Sequence, residues 1–454
     1  MDDYRQISFW FDSLEDATAE VTALPETVDV AIIGGGFTGL WTAYYLKKKS
    51  PDLRVGVFEA ETIGFGASGR NGGWCMGAAE GVGDLLSKEK TRQEGIRLQN
   101  ILHDTVDEID RVCQAEGIDC HFVKGGTLYV AGTKEVARQH QEWMKFLQEI
   151  GFSEDEYCWL GVDESAKRIR LSRNYGAAYT SHCAAVHPAR LVRGLADAVR
   201  KLGVEVVEKC PVFEYQTGQL QTGRGTVTAE KIVRATEGYT DSIRGNSRYL
   251  MPLYSMVVAT EPMSESRWQE IGLAERETFD DGRRAVVYGQ RTRDNRLVFG
   301  GRSGYYFGSK RKPVISPDAV AVQNVANEMR KLIPAVSGIE ITHGWGGLMG
   351  VPRHWRPCVS YSNISRTGWA GGYTGEGVGA SNLAGRMMSD LVLGEQTDLT
   401  TLPWVDDQPR RWEPEPIRWL GHKMVAFFAH QADKVEAAGQ KSRFWGGLFD
   451  RLAH

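Results

Sequence analysis

The sequence predicts an α/β fold: a parallel nucleotide-binding domain assembled from discontinuous segments, with an α+β domain of antiparallel sheet inserted between them. Three observations predict it. A β-branched run near the N-terminus enters a glycine turn that opens a helix. A parallel βα pattern returns far along the chain, and hairpin and helix material lies in between. At 454 residues the chain is also too long for one ordinary domain.

Each element follows from local pattern. Val-Asp-Val-Ala-Ile-Ile at 28–33 reads as a strand, Gly34 to Gly39 as a turn, and residues 40–49 as a helix with Leu40, Ala43, Tyr44 and Leu46 on one face. Pro51 and Asp52 break that helix, and residues 54–58 form a second strand ending at Glu59, which completes a βαβ unit. Helical spacing then runs over 84–112, a strand over 126–130 and a helix over 134–150. A helix over 191–202, a strand at 204–207, a hairpin over 218–229 and a strand at 231–235 follow. Hairpin-like pieces recur at 254–259, 285–290 and 296–300, with a helix over 317–332 and another from the glycines at 371–377 to about 393. The resulting division is an extension at 1–27, a nucleotide-binding domain at 28–90, 165–245 and 340–404, and an inserted domain at 91–164 and 246–339. A helical tail at 405–454, expected to pack on its own domain, completes the chain.

Composition narrows the function. Hydrophobic residues at 42% and charged residues at 25% are ordinary for a folded protein. Lys plus Arg, at 54, does not exceed Asp plus Glu, at 58, so no nucleic-acid partner is expected. Seven cysteines with no C-x-x-C spacing argue against a disulfide framework or structural zinc, and no metal is expected. The start of the chain is not a secretory signal, and no apolar run is long enough to span a bilayer. A cytoplasmic protein is the expectation.

Gly34-x-Gly36-x-x-Gly39 between strand and helix is the dinucleotide-binding, Rossmann-like pattern. Its glycines allow the tight turn, close approach of a pyrophosphate and close helix packing, with Phe37 and Thr38 in the first helical turn. Glu59, followed by Ala60, stands where a carboxylate accepts hydrogen bonds from ribose hydroxyls and disfavours a 2′-phosphate. The fingerprint alone does not separate FAD from NAD.

The stretch after Glu59 separates them. Ile63-Gly-Phe-Gly-Ala-Ser-Gly-Arg-Asn-Gly-Gly73, with the fingerprint, resembles the D-amino-acid oxidase superfamily of FAD-dependent amine and amino-acid oxidoreductases, over most of residues 28–400. Three later segments carry the same resemblance: His187-Pro-Ala-Arg-Leu191 ahead of Val212, Ala235-Thr236-Glu-Gly238, and Gly371-Gly372-Tyr-Thr-Gly375-Glu376-Gly377-Val378. It implies that Ser68 and Gly69 bind pyrophosphate, and that Arg70, Asn71, Gly72 and Gly73 pass the isoalloxazine. It places adenine against the Val212 backbone, makes Ala235 and Thr236 part of a second cofactor-contact strand, and sets the flavin pyrimidine against the 372–378 loop. Glu376 replaces a His frequent in relatives and is expected either to neighbour the helix N-cap or to bind an amine.

Departures from the pattern narrow the chemistry. Amino-acid oxidases of the family pair the substrate carboxylate with an Arg shortly after a Trp-x-Gly, whereas Met349 stands there in Trp345-Gly-Gly-Leu-Met349. This points toward an amine, in the manner of γ-glutamylputrescine oxidase. Gly347 stands where sarcosine oxidase has its flavin-linking Cys, so noncovalent FAD is expected. Tyr254, Tyr288, Arg302, His343, Trp345 and Met349 are the substrate-pocket candidates, His343 being a candidate base. The implied reaction is hydride transfer from the α-carbon of a small amine to flavin N5. Hydrolysis of the imine gives an aldehyde plus ammonia or amine, and O2 as acceptor yields hydrogen peroxide. An amine dehydrogenase using a quinone or protein acceptor, and a noncatalytic flavin-binding subunit, are the alternatives.

Overall fold

The computed structural model describes residues 4–453, apart from the side chains of Arg302, Ser303, Asp450 and Ala453. The candidate Arg302 therefore lies outside what is described beyond its backbone place in the strand Leu297–Gly304. Two eight-stranded sheets divide the described residues. The first runs in the order Cys358–Ser362, Thr367–Gly371, Gly225–Arg234, Thr27–Ile33, Val55–Phe58, Glu205–Val207, with a hairpin (Val212–Gln216 and Gln219–Thr222) hung on Gly225–Arg234. Ile33 pairs in parallel with both Phe58 and Arg234, so the glycine turn leaves the carboxyl edge of a central strand. In such sheets that edge is where ligands bind. At the centre of this sheet residues 30–33, 55–58 and 232–234 are buried because both faces are covered, one by the helices Phe37–Lys49, Pro188–Lys201 and Gly377–Leu393.

The second sheet runs Ile341–Pro352, Leu250–Thr260, Leu297–Gly304, Val287–Arg291, Thr278–Asp280, Thr127–Val130, Ala177–Thr180, Tyr157–Leu160. Its neighbours are antiparallel except for the parallel pair Thr278–Asp280 and Thr127–Val130.

The expected domain boundaries need three corrections. Ile341–Pro352 and Ala177–Thr180, placed by sequence in the nucleotide-binding domain, are strands of the antiparallel sheet. Arg92–Glu116, placed in the inserted domain, buries Leu98, Leu102, Val106 and Ile109 in the same core as Trp41 and Leu383 of the nucleotide-binding helices. The physical reason is common to all three: period and length identify a strand or helix, whereas the layer it joins depends on which apolar face is free to receive it.

The N-terminal extension has a structural task. Ser8 Oγ caps the short helix Phe9–Asp12 and donates to Gly69 O at 2.8 Å, while Trp10 Nε1 donates to Asn71 O at 2.8 Å. Phe9, Trp10 and Phe11 are buried, so the extension braces the 64–73 loop from behind. The tail helices Ile417–Ala437 and Arg443–Ala453 pack on the antiparallel domain, where Asp433 accepts from the N–H groups of Arg284 and Ala285 and Glu436 pairs with Arg284. Among the described residues no helix is long and apolar enough to cross a membrane.

Candidate functional site

A cleft of about 200 Å³ lies between the two sheets. It begins at the dinucleotide helix. Gly34 adopts φ +110°, and a Cβ there would stand 2.5 Å from Ala235 O, so only glycine fits the crossing of the two strands. A Cβ on Gly36 would approach Ser68 Oγ to 2.9 Å, and that hydroxyl accepts from the Phe37 N–H at 2.9 Å. Ser68 thus stands at the positive end of a 13-residue helix. Beneath the turn, Glu59 Oε2 accepts from Gly35 N–H at 2.7 Å and Oε1 from Glu61 N–H at 3.0 Å, while burial pushes the carboxyl up to about 7.

The 64–73 loop forms the next stretch of wall. Asn71 holds it in shape, donating to Ala67 O and Ser68 O and accepting from Gly73 N–H at 2.8 Å. Arg70 is buried and donates to Phe65 O at 2.7 Å and Pro313 O at 2.7 Å, yet its Nη2 has no acceptor. Among the described residues no carboxylate pairs with it, and burial lowers its affinity for the proton.

At the far end, the loop Gly372–Gly375 leads into the 17-residue helix Gly377–Leu393, whose N-terminus carries no side-chain cap. Glu237 holds this loop. Its Oε1 accepts from the N–H groups of Gly372 and Tyr373, both at 3.1 Å, while Oε2 lies beside the Gly350 backbone without meeting hydrogen-bond geometry. Burial pushes this carboxyl to about 7, against the opposing pull of the N–H groups. Tyr373 OH and Thr38 Oγ1 are 2.9 Å apart, which ties the two helix N-termini together.

The antiparallel sheet supplies the opposite wall. Its register sets Tyr129, Asp280 and Tyr288 abreast on adjacent strands, and all three border the cleft with Trp74, Ser255 and Met349. Tyr288 OH lies 2.8 Å from Ser255 Oγ, and its ring meets Trp74 edge-on at 6.0 Å.

Among the sequence candidates, Phe37, Thr38, Ser68, Arg70, Asn71, Gly72, Tyr288, Met349, Gly375, Glu376, Gly377 and Val378 line the cleft. Gly34, Gly36, Gly39, Glu59, Ala60, Gly69, Val212, Ala235, Thr236 and Gly372 lie outside the lining, in the turn and strand edges behind it or in the loop base. Gly72 and Gly73 leave room for side chains of the other domain: added Cβ atoms would meet Tyr288 Cε2 at 2.3 Å and Gln290 Nε2 at 2.1 Å.

Three pocket candidates are corrected. Tyr254 points to the other face from Ser255, where its OH accepts from Lys312 N–H at 2.7 Å and its ring packs on Tyr306. His343 bridges Thr342 and Asp12, the latter at 3.0 Å, and so anchors the N-terminal helix. Trp345 is buried against Trp10 and donates to Arg70 O at 2.8 Å, shaping the loop from behind. Strand alternation turns Tyr254 away from the cleft, whereas His343 and Trp345 lie farther along the strand that carries Gly347 and Met349, where the N-terminal helix covers them. Sequence reasoning missed Glu237, Asp280, Tyr129, Trp74, Ser255 and Tyr373. Glu237 carried a weak signal, a carboxylate inside a segment chosen for its backbone. Asp280 carried none.

The residues present fit a bound FAD. Two helix N-termini open on one cleft, a buried carboxylate stands at the end of the second strand, and the buried guanidinium of Arg70 has an unused donor.

The family described as FAD dependent oxidoreductase (DAO) matches residues 29–391. Gamma-glutamylputrescine oxidoreductase of Escherichia coli (strain K12) is 29% identical over 382 residues, covering 81% of this chain and 84% of that protein. A probable oxidoreductase OrdL of Haemophilus influenzae is 28% identical over 407 residues, covering 87% and 89%. Among solved structures, glycine oxidase from Geobacillus kaustophilus has the same fold, with a TM-score of 0.70 at 24% identity over 86% of this chain and 100% of that one.

Proposed function

This chain belongs to the family of FAD-dependent oxidoreductases, and from that premise we propose that it oxidises a C–N bond of a small amine. The observation that carries the reading is the cleft wall. Aromatic rings of Tyr129, Tyr288 and Trp74, the carboxylate of Asp280 and the thioether of Met349 border it, and the family resemblance sets Met349 at the position of an amino-acid oxidase's carboxylate-pairing Arg. Gamma-glutamylputrescine oxidoreductase, one of the relatives, is named for an amine substrate.

Ser68 and the N-terminus of the dinucleotide helix would hold the cofactor pyrophosphate, and Glu59 would accept from the ribose. The N-terminus of Gly377–Leu393 and the unused donor of Arg70 would hold the flavin's electron-rich end. What FAD supplies when bound is a two-electron acceptor for hydride from the amine α-carbon, with oxygen as final acceptor and hydrogen peroxide as product. The chain's own work is orientation and exclusion of water. Tyr288 is pinned by Ser255 and pressed on Gly72, which gives the substrate a rigid wall. A neutral amine needs no strong base, and no histidine lines the cleft among the described residues. The imine released hydrolyses to an aldehyde and ammonia or a smaller amine. No cysteine lines the cleft among the described residues, which supports noncovalent attachment.

Anaerobic addition of a panel of primary and secondary amines to the purified flavoprotein tests the reading. Bleaching of the flavin band is expected, with recovery and peroxide release when air is readmitted. A bleached flavin that recovers only with a quinone makes the protein a dehydrogenase. No bleaching by any amine overturns the proposal.

A further inference from the structure

Asp280 is a carboxylate among rings. The parallel register with Thr127–Val130 sets it beside Tyr129, and the antiparallel register with Val287–Arg291 sets it beside Tyr288. Directly paired residues project from the same face, so the carboxylate has an aromatic side chain on either hand. Trp74 closes the group by meeting the Tyr288 ring edge-on.

Local structure uses only half of this carboxylate. Oδ1 accepts from Gly282 N–H at 2.8 Å, a short turn at the end of the strand. Among the described residues, Oδ2 has no hydrogen bond and no ion pair reaches Asp280. The residue is partly accessible because it borders the cleft, yet protein encloses it enough that burial pushes its carboxyl up to about 7. A turn needs neither the rings nor the enclosure. A carboxylate held away from bulk water without a partner is unfavourable unless a cation arrives. Aromatic faces around such a carboxylate attract ammonium groups in particular.

We propose, on the basis of the amine-oxidation reading above, that Asp280 with Tyr129, Tyr288 and Trp74 forms a subsite for a second nitrogen of the substrate, one that stays cationic. The preferred substrate class is then a diamine, or an amine with a distal ammonium group. The nitrogen held here is not the one oxidised. A carboxylate in contact with an ammonium strengthens its hold on the proton, whereas the reacting nitrogen must be neutral to release hydride from its neighbouring carbon.

The test uses the FAD-loaded enzyme and matched pairs of amines: n-alkylamines, and ω-aminoalkyl-trimethylammonium ions of the same chain length. At the best length the cationic member is expected to have a kcat/KM about 10–100-fold higher. Asp280→Asn keeps the Oδ1 acceptor for Gly282, so the turn persists, and it should bring that ratio to within about threefold of unity. Tyr129→Leu, which removes one ring and keeps the carboxylate, should lower the ratio partway. Tetramethylammonium, which cannot be oxidised at the bound head, provides a readout without turnover: its Kd by calorimetry should rise about tenfold or more in Asp280→Asn. Equal use of both amine classes at every length, or an unchanged ratio and Kd in Asp280→Asn, overturns the subsite. Failure of every amine to bleach the flavin overturns the amine-oxidation reading instead, and the tetramethylammonium titration still decides the subsite.

Discussion

Replacing Gly72 by Ala puts a methyl group where the Tyr288 ring already lies. The new Cβ would stand 2.3 Å from Cε2 and 2.8 Å from Cδ2. Carbon atoms in contact sit about 3.5–4.0 Å apart, so ring or loop must retreat by about 1 Å. The ring has little room to yield. On its other side it lies on Gly300, where a Cβ would be 2.3 Å from Cζ, and its OH is held by Ser255 Oγ at 2.8 Å. Gly72 is not among the residues with positive φ, so the backbone accepts alanine and the cost is steric alone. Overpacking costs about 1–3 kcal/mol and the strained Tyr288–Ser255 hydrogen bond about 0.5–1.5 kcal/mol, together about 2–4 kcal/mol. At roughly 2 °C per kcal/mol for a chain of this size, thermal unfolding should drop by about 4–8 °C. Flavin content should fall as well, because the 64–73 loop is the part displaced. The decisive assay is a double-mutant cycle: in a Tyr288→Leu background, Gly72→Ala should cost under about 1 kcal/mol. An equal drop in both backgrounds refutes the argument.

Other predictions concern the cofactor end. Glu237→Ala strands the N–H groups of Gly372 and Tyr373, at about 1–3 kcal/mol each, and should lower the flavin retained through gel filtration; Glu237→Gln keeps an acceptor and should retain most of it. Flavin binding as tight in the alanine variant as in wild type refutes that role. Glu59 and Glu237 are both raised to about 7 from an ordinary value of 4.5. Their protonated forms suit the fold, so the stability they contribute is full below about 4.5 and is lost as pH rises through about 7. In flavin-free protein, Glu59→Gln should therefore reduce the loss of stability between pH 6 and pH 8 by about 1 kcal/mol in denaturant titrations; an unchanged slope contradicts the assignment. Acid precipitation should release all the flavin into the supernatant, and yellow colour remaining in the pellet would disprove noncovalent attachment.

The nucleotide-binding half was legible because its chemistry is local. Strand, Gly34-x-Gly36-x-x-Gly39, helix and Glu59 occur in one stretch of chain, and a phosphate imposes the same backbone demands wherever it binds. Motifs at 63–73 and 371–378 were legible for the same reason. Both border the cleft in the folded chain.

The opposite wall of the cleft was legible only in Tyr288 and Met349. Tyr129, Asp280 and Tyr288 come from three strands far apart in sequence, and they become neighbours only through register. Tyr254, His343 and Trp345 carry suitable chemistry in suitable segments, yet strand alternation turns Tyr254 away and the N-terminal helix covers His343 and Trp345. Sequence alone thus determined that the chain can hold a dinucleotide, since spacing along the backbone is itself the recognition device, and the resemblance at 63–73 and 371–378 pointed to FAD. Tertiary structure alone decided what the cofactor faces, because side-chain direction depends on strand pairing, and pairing is a property of segments that no local pattern connects.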